Sequence, residues 1–386
     1  MIPYGRQDIT PADITAVVDV LQSDWLTQGP IVPRFEQAVA DKTGSKYAVA
    51  VNSATSALHI ACLALDLGPG DWLWTSPNTF VASANCGLYC GANVDFVDID
   101  PLTYNMSVDA LSVKLEHAER LGTLPKIVVP VHFAGQSCDM AAIYALGQRY
   151  GFKIIEDASH AIGGQYVNKA IGSCEYSDIT VFSFHPVKII TTGEGGMAMS
   201  NNAALAERMQ RFRSHGITRD LQQMQGDSPG DWYYEQIELG FNYRMTDIQA
   251  ALGLSQIERL ELYVTRRHFL ASVYNDKLAN LPLILPFQHK DTYSGFHLYA
   301  VQVNPLFSPL NKRQVFDHLR SEGIGINVHY IPVHLQPYYR GMNFQPGQFI
   351  EAERYYENAI SLPLFYDLKE EQQNKVVESL SKVLQS

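Results

Sequence analysis

YAVAVNSATSALHIACLAL, residues 47–65, runs an apolar strand (47–53) directly into a helical pattern (54–65), and this strand-then-helix unit decides the fold. The same alternation continues outward along the chain. β-rich runs stand at WLWTSP (72–77), VDFVDI (94–99), IVVPVHFAG (127–135), KIIEDAS (153–159), TVFSFH (180–185) and GGMAMS (195–200), with a further helical pattern at MAAIYALGQRYG (140–151). Strands that are apolar throughout and separated by helix-length segments belong to a parallel sheet covered on both faces. The pattern therefore predicts an α/β domain built on a mainly parallel mixed sheet between helices. From about residue 246 it changes to one long helical run, TDIQAALGLSQIERLELYVTRRHFLASVYNDKLANL, ending near Pro282. HLYAVQV, KRQVFDHLRSEG, GINVHYIPV and a closing helix from 368 read as a smaller α+β unit of mixed topology. The expected division is a large domain over 1–250, with the N-terminal segment, and a small C-terminal domain over 251–386. No fixed-period repeat is visible, so solenoid folds drop out.

A chain of 386 residues suits two such domains, and 46% hydrophobic residues supply material for their cores. The formal net charge of −11 opposes non-specific binding to nucleic acid, which depends on Lys and Arg displacing counterions. It still permits a local basic pocket for a small phosphorylated ligand. Cys62, Cys86, Cys90, Cys138 and Cys174 are scattered and never in a paired CxxC spacing, so neither a disulfide framework nor a metal site is expected. MIPYGRQDITPADI carries charge where a signal peptide needs an apolar run, and no stretch approaches the ~20 apolar residues of a membrane span. The expectation is a cytoplasmic protein with reduced thiols and neither nucleic acid nor membrane as partner.

Three segments carry chemistry. EDASHAIG (156–163) sets Asp157 and His160 just past an apolar strand, at the end where open α/β sheets bind ligands. A helix-capping Asp and a packed His would explain the same residues. FSFHPVKIITTGEGG (182–196) sets Lys188 after a strand bearing Ser183, with Pro186 before it and glycines after it that allow close backbone approach. A lone Lys in such a place is usually solvated. In apolar surroundings it would instead have a depressed pKa and could attack an aldehyde, as a Schiff-base lysine must. Paired with Asp157, it supplies the two anchors of pyridoxal phosphate, because the carboxylate keeps the pyridine nitrogen protonated and the ring electron-withdrawing. NSATSALHIA (52–61) places Thr55 and Ser56 at a helix start, where free N–H groups and roughly half a positive charge of helix dipole favour a phosphate. An ordinary Ser/Thr N-cap explains that segment equally well.

Together with WLTQGP, SPNTFVASANCGLYCGANVDFVDID, EDASHAIGG, FSFHPVK, TTGEGG, SHG and LGFNYRMTDIQAALGLSQIERL, in this order over about residues 25–260, and GINVHYIPV beyond them, the chain resembles the nucleotide-sugar aminotransferases of pyridoxal-phosphate fold type I. Within that family, FSFHPVK with ITT and EGG most resembles the branch that aminates C4 of UDP-4-keto-6-deoxy-N-acetyl-β-L-altrosamine on the route to pseudaminic acid. The resemblance implies that Lys188 joins the cofactor and then moves the proton, that Asp157 pairs with the pyridine nitrogen, and that His160 lies near the ring's O3 side. It further implies that Phe80 stacks on the ring and that Thr55, Ser56 and Ser183 hold the phosphate. Asn242, in GFNYRM, would reach the phosphate from the other subunit of a homodimer, although a GFNYR loop is otherwise only a turn with an interface Arg. Arg244, His329 and Tyr330 are candidate contacts to substrate or neighbouring subunit. The implied reaction takes the amino group of L-glutamate and gives it to the 4-keto carbon of a UDP-linked sugar.

The alternatives are amination at C3 or C4 of another nucleotide sugar, a dehydratase relative, and a binding protein that keeps the fold without the chemistry. The dehydratases carry histidine in place of the family lysine, where this chain has Lys188, with His185 three residues earlier. A nicotinamide enzyme would want G-x-G-x-x-G opening the first helix, and NSATSAL lacks those glycines.

Overall fold

The computed structural model describes residues 1–385. Its centre is a seven-stranded sheet of β1 (Tyr47–Val51), β2 (Trp72–Thr75), β3 (Asn93–Phe96), β4 (Ile127–Val129), β5 (Lys153–Asp157), β6 (Ile179–Ser183) and β7 (Gly196–Ser200), in the order β1-β7-β6-β5-β4-β2-β3. Five neighbouring strands from β6 to β3 are parallel. Alternate residues serve the two faces, as a pleated strand requires. Ala48, Ala50, Phe182, Met197 and Met199 enter one buried cluster, and Val49, Val51, Ile179, Val181 and Ala198 enter another. This is the expected architecture, a mainly parallel mixed sheet between helices.

β7 runs antiparallel to both β6 and β1. The linker 184–195 contains no helix, so the chain returns beside β6 without the crossover that a parallel neighbour needs. That linker carries Lys188.

The helical run beginning at 246 is two helices, Asp247–Ile257 and Leu260–Leu278, where its periodicity predicts one. Neither Pro nor Gly marks the break. Arg259 leaves helical geometry at φ −102° and ψ 8°, and its guanidinium is held by the fully buried Asp13 carboxylate at 2.7 and 2.8 Å. The first helix packs on the N-terminal helices Pro11–Leu21 and Ile31–Thr43, whereas the second sends Leu270, Tyr274 and Leu278 into a C-terminal core. That core gathers an antiparallel sheet of Leu283–Ile284, Tyr299–Val303 and Ala359–Leu362 with the helices Lys312–Ser321 and Glu370–Leu384. Ile2 is buried in it too, its N–H donating to Gly323 and its carbonyl accepting from Gly325.

GINVHYIPV spans from this core to the carboxyl end of the large sheet. Asn327 pairs with Ser361, the Tyr330 N–H donates to Asn78 Oδ1, and the Val333 N–H donates to the Pro77 carbonyl just past β2. His329 and Tyr330 are thereby brought to the strand ends where α/β sheets hold ligands. Among the described residues no helix is long and apolar enough to cross a membrane.

Candidate active site

β6 ends at Ser183, and the loop after it closes on the Phe184 carbonyl, which accepts from the Thr192 N–H and the Thr191 hydroxyl. Ile189 and Ile190 pin this loop into the buried cluster on one sheet face. Lys188 sits in the tight turn between, its own N–H donating to His185 O at 2.9 Å. Its side chain is half-buried, and among the described residues Nζ makes no hydrogen bond or ion pair. Burial lowers its pKa to about 8, and the Asp157 carboxylate opposes that shift. The lysine is therefore an uncommitted amine that is uncharged in a useful fraction near neutral pH.

Asp157, the last residue of β5, is 5% exposed. Its Oδ2 accepts from the Ser83 hydroxyl at 2.6 Å, and its Oδ1 accepts from the Ser159 hydroxyl at 2.6 Å and the Ser159 N–H at 3.1 Å. Three donors thus converge on this one carboxylate. Ser83 belongs to the helix Ala82–Tyr89, and just before that helix Phe80 stands 59% exposed, with an open ring face.

The candidate anion cradle is the start of helix Ala54–Ala64. Ser53 caps it by accepting from the Ser56 N–H, and the Ser56 hydroxyl donates to Asn52 Oδ1 at 2.7 Å. Among the described residues the Ala54 and Thr55 N–H groups and the Thr55 hydroxyl have no partner, as the first turn of a helix leaves them. Gly196 makes the approach possible: a Cβ there would lie 2.4 Å from Ala54 N. Ser183 is its cross-strand partner, so the Ser183 side chain points the same way, toward the helix start.

Around Lys188 stand three imidazoles. His160 is buried between the Ala134 N–H, which donates to its Nδ1 at 3.3 Å, and the Tyr330 hydroxyl at 3.0 Å from its Nε2. Burial first, then the charges of Lys188 and His329, push His160 well below the usual histidine value. His329 is pulled down to about 3 by burial and by Lys188, and its Nδ1 meets the Ser361 hydroxyl at 2.8 Å. His297, whose ring centroid lies 4.5 Å from that of His160, is lowered chiefly by burial and has an unpartnered Nδ1 among the described residues. Burial keeps the Tyr330 phenol protonated, helped by Asp157 and Tyr4.

The structure thus brings Lys188, Asp157, His160, His329 and Tyr330 into one cluster, with Phe80 at its edge, its ring centroid 6.4 Å from that of Tyr330. Thr55, Ser56 and Ser183 meet at the adjoining cradle. Asn242 has an exposed side chain, and its carbonyl lies 3.5 Å from Asn52 Nδ2 of the same chain, beside that cradle. Arg244 pairs with Val51 through the backbone and lines a cleft with Gln28, Gly29, Arg213 and Ser214, none of which belongs to the Lys188 cluster. Sequence reasoning did not single out Ser83, Ser159 or His297. Ser159 was within reach as a polar residue in EDASHAIG, whereas Ser83 and His297 meet the site only through packing.

An unpaired half-buried amine, a fully bonded carboxylate, an exposed aromatic face and free helix-start N–H groups form the donor set that pyridoxal phosphate needs. The family model of the DegT/DnrJ/EryC1/StrS aminotransferases matches residues 7–381. The UDP-4-amino-4-deoxy-L-arabinose–oxoglutarate aminotransferase of Shewanella sediminis is 36% identical over 99% of this chain and 98% of its own length. A putative sugar aminotransferase of Streptococcus pneumoniae, Spr1654 in its PMP form, superposes with a TM-score of 0.90 at 30% identity, over 100% of this chain and 99% of that one. Helicobacter pylori PseC, an aminotransferase involved in the biosynthesis of pseudoaminic acid, gives 0.90 at 31% identity over 100% and 99%.

Proposed function

Because the chain belongs to the DegT/DnrJ/EryC1/StrS aminotransferase family, a family of pyridoxal-phosphate enzymes that act on sugars, we propose that it moves the amino group of L-glutamate to C4 of a UDP-linked 4-keto-6-deoxy-N-acetylhexosamine. The observation that carries this reading is the unpaired Lys188 amine, with a pKa lowered to about 8, beside the buried and triply bonded Asp157. The likeness to PseC supports the pseudaminic acid route, and the Shewanella relative supports a UDP-linked sugar with 2-oxoglutarate as the other product.

Pyridoxal phosphate, when bound, supplies a ring that withdraws electrons from the carbon losing its proton. Lys188 would hold the cofactor through Nζ, and its amine would be the group that moves the proton at the reacting carbon. Asp157 would hold a positive charge at the ring nitrogen. Phe80 would stack on the ring, His160 would lie near its oxygen, and Thr55, Ser56 and Ser183 with the free N–H groups of Ala54 and Thr55 would hold the phosphate. Asn242 reaches the phosphate of a second copy, so the working unit is a homodimer with shared sites. His329 and Tyr330, from within the Lys188 cluster, would contact the substrate, and Arg244, in its separate cleft, would contact the neighbouring subunit or a substrate bound there. The large domain, 1–250 together with the rest of helix Asp247–Ile257, would hold the cofactor and the remainder of 251–386 would close the sugar side, in a cytoplasmic enzyme.

An absorbance titration tests this. The purified protein should show a yellow band that bleaches with L-glutamate and returns with the 4-keto sugar, and Lys188→Ala should lose both changes. No band even with added pyridoxal phosphate would overturn the reading, and return of colour with only a 3-keto sugar would overturn the C4 assignment.

A further inference from the structure

His160 has two polar neighbours of different kinds, and together they fix where its proton sits. The Ala134 N–H is a donor and cannot accept, so Nδ1, 3.3 Å away, must present a lone pair. A neutral imidazole with Nδ1 unprotonated carries its hydrogen on Nε2. Nε2 lies 3.0 Å from the Tyr330 oxygen, which therefore accepts. Tyr330 is then left with a hydroxyl hydrogen that has no acceptor among the described residues. Burial and the nearby Lys188 and His329 exclude the doubly protonated imidazolium. The other titratable groups on this unit are His297, its ring tilted 43° against His160, and Asp157 and Tyr4, which help to keep the phenol protonated.

The surroundings keep the unit stiff. Ala134 lies in the turn Phe133–Gly135, where Gly135 has φ +108° and a Cβ would meet Phe296 N at 2.7 Å and His160 O at 3.0 Å, so the backbone there has little freedom to shift. The Tyr330 ring stacks at 19° against His160, with Phe133 on an edge and Phe80 at 6.4 Å. Its backbone N–H is held by Asn78.

We propose that His160 and Tyr330 act as one directed donor: His160, fixed in its Nε2–H form by the Ala134 N–H, donates to Tyr330, which turns its own hydroxyl hydrogen onto an acceptor oxygen of the bound ligand. His160 is the positioning residue and Tyr330 the contact. The acceptor is an oxygen with a free lone pair, either the ring oxygen of the cofactor or a keto or hydroxyl oxygen of the sugar. This rests on the aminotransferase reading for the identity of the ligand but not for the state of His160.

Nitrogen NMR of the full chain, with the His160 signal assigned by its loss in His160→Gln, reads that state without turnover. The expected result is a neutral Nε2–H ring from about pH 6 to about pH 8. An Nδ1–H ring or an imidazolium in that range overturns the proposal, whatever the enzyme does. Tyr330→Phe should then lower kcat/KM roughly tenfold to a hundredfold. In a His160→Leu background the same change should cost under about twofold, and in His160→Gln, whose amide can still donate, it should keep its cost. Equal cost in all three backgrounds overturns the coupling. If the acceptor is the cofactor, Tyr330→Phe shifts the pH dependence of the holoenzyme absorbance before any sugar is added. If it is the sugar, that absorbance is unchanged and KM for the keto sugar rises. A variant that alters neither refutes the donor role.

Discussion

The most direct consequence of the Lys188 environment is a pH dependence for cofactor capture by the apo protein. Burial takes the Lys188 pKa from 10.5 to about 8. At about pH 7 an amine of pKa about 8 is uncharged in about a tenth of molecules, against roughly three in ten thousand at the ordinary value, a ~300-fold gain in reactive amine. A depressed pKa on a base means that the charged form persists below it and is lost above it. The capture rate should therefore climb about tenfold per pH unit up to about pH 8 and then level off. Stopped-flow absorbance after mixing apo protein with pyridoxal phosphate measures the rate, and division by the rate with a blocked free lysine of pKa about 10.4 cancels the titrations of the cofactor itself and leaves a ratio that is flat below about pH 8 and falls about tenfold per unit above it. Asp157 raises the Lys188 pKa, so Asp157→Asn should move the plateau to lower pH while weakening the final complex. A normalised rate that does not change its pH dependence until about pH 10 would refute the argument, because Lys188 would then titrate as a solvated lysine.

Three further perturbations test the scaffold. His132 and Glu156 form a buried pair at 2.7 Å beneath the site, so His132→Leu strands a buried carboxylate and should cost roughly 3–5 kcal/mol by urea unfolding. Gly196→Ala puts a Cβ 2.4 Å from Ala54 N, so it should displace the helix start and weaken cofactor binding at least tenfold by equilibrium titration; an unchanged Kd would remove that helix start from the phosphate site. Asp247 is fully buried and accepts from the N–H groups of Gly29, Ile31 and Val32 at 2.7, 2.8 and 3.2 Å. Asp247→Ala leaves these donors unmet and should cost about 3 kcal/mol or more in urea unfolding, with Asp247→Asn recovering part of it.

The pleated alternation and the apolar runs made the sheet legible, since both faces of each strand had to be buried. The direction of β7 was not legible in its own residues, because a strand's sense is set by what connects it, and the loop 184–195 contains no helix. The break at Arg259 was hidden for a similar reason. Its cause, Asp13, lies 246 residues away, and the local spacing of apolar residues is uninterrupted. The helix start at Ala54 and the nearness of Asp157 to Lys188 were legible because each sits where a strand ends and the next turn begins, a place that local sequence marks.

What the sequence could not place is the polar support that arrives by packing. Ser83 reaches Asp157 across 74 residues and Tyr330 reaches His160 across 170, one from a helix flank and the other from a segment anchored in the C-terminal core. Ser83 has no neighbour in sequence that signals its role, because a serine on a helix is an ordinary residue there, whereas Tyr330 stood out in GINVHYIPV as a candidate contact but without its partner His160. The chemistry-bearing groups stand at strand ends of the large sheet, while the groups that orient them are delivered by other layers. A change in how the C-terminal core packs, such as loss of the Asn327 to Ser361 pairing, should therefore disturb the His160–Tyr330 contact before it disturbs Lys188, whose loop is pinned by Ile189 and Ile190 within the large domain.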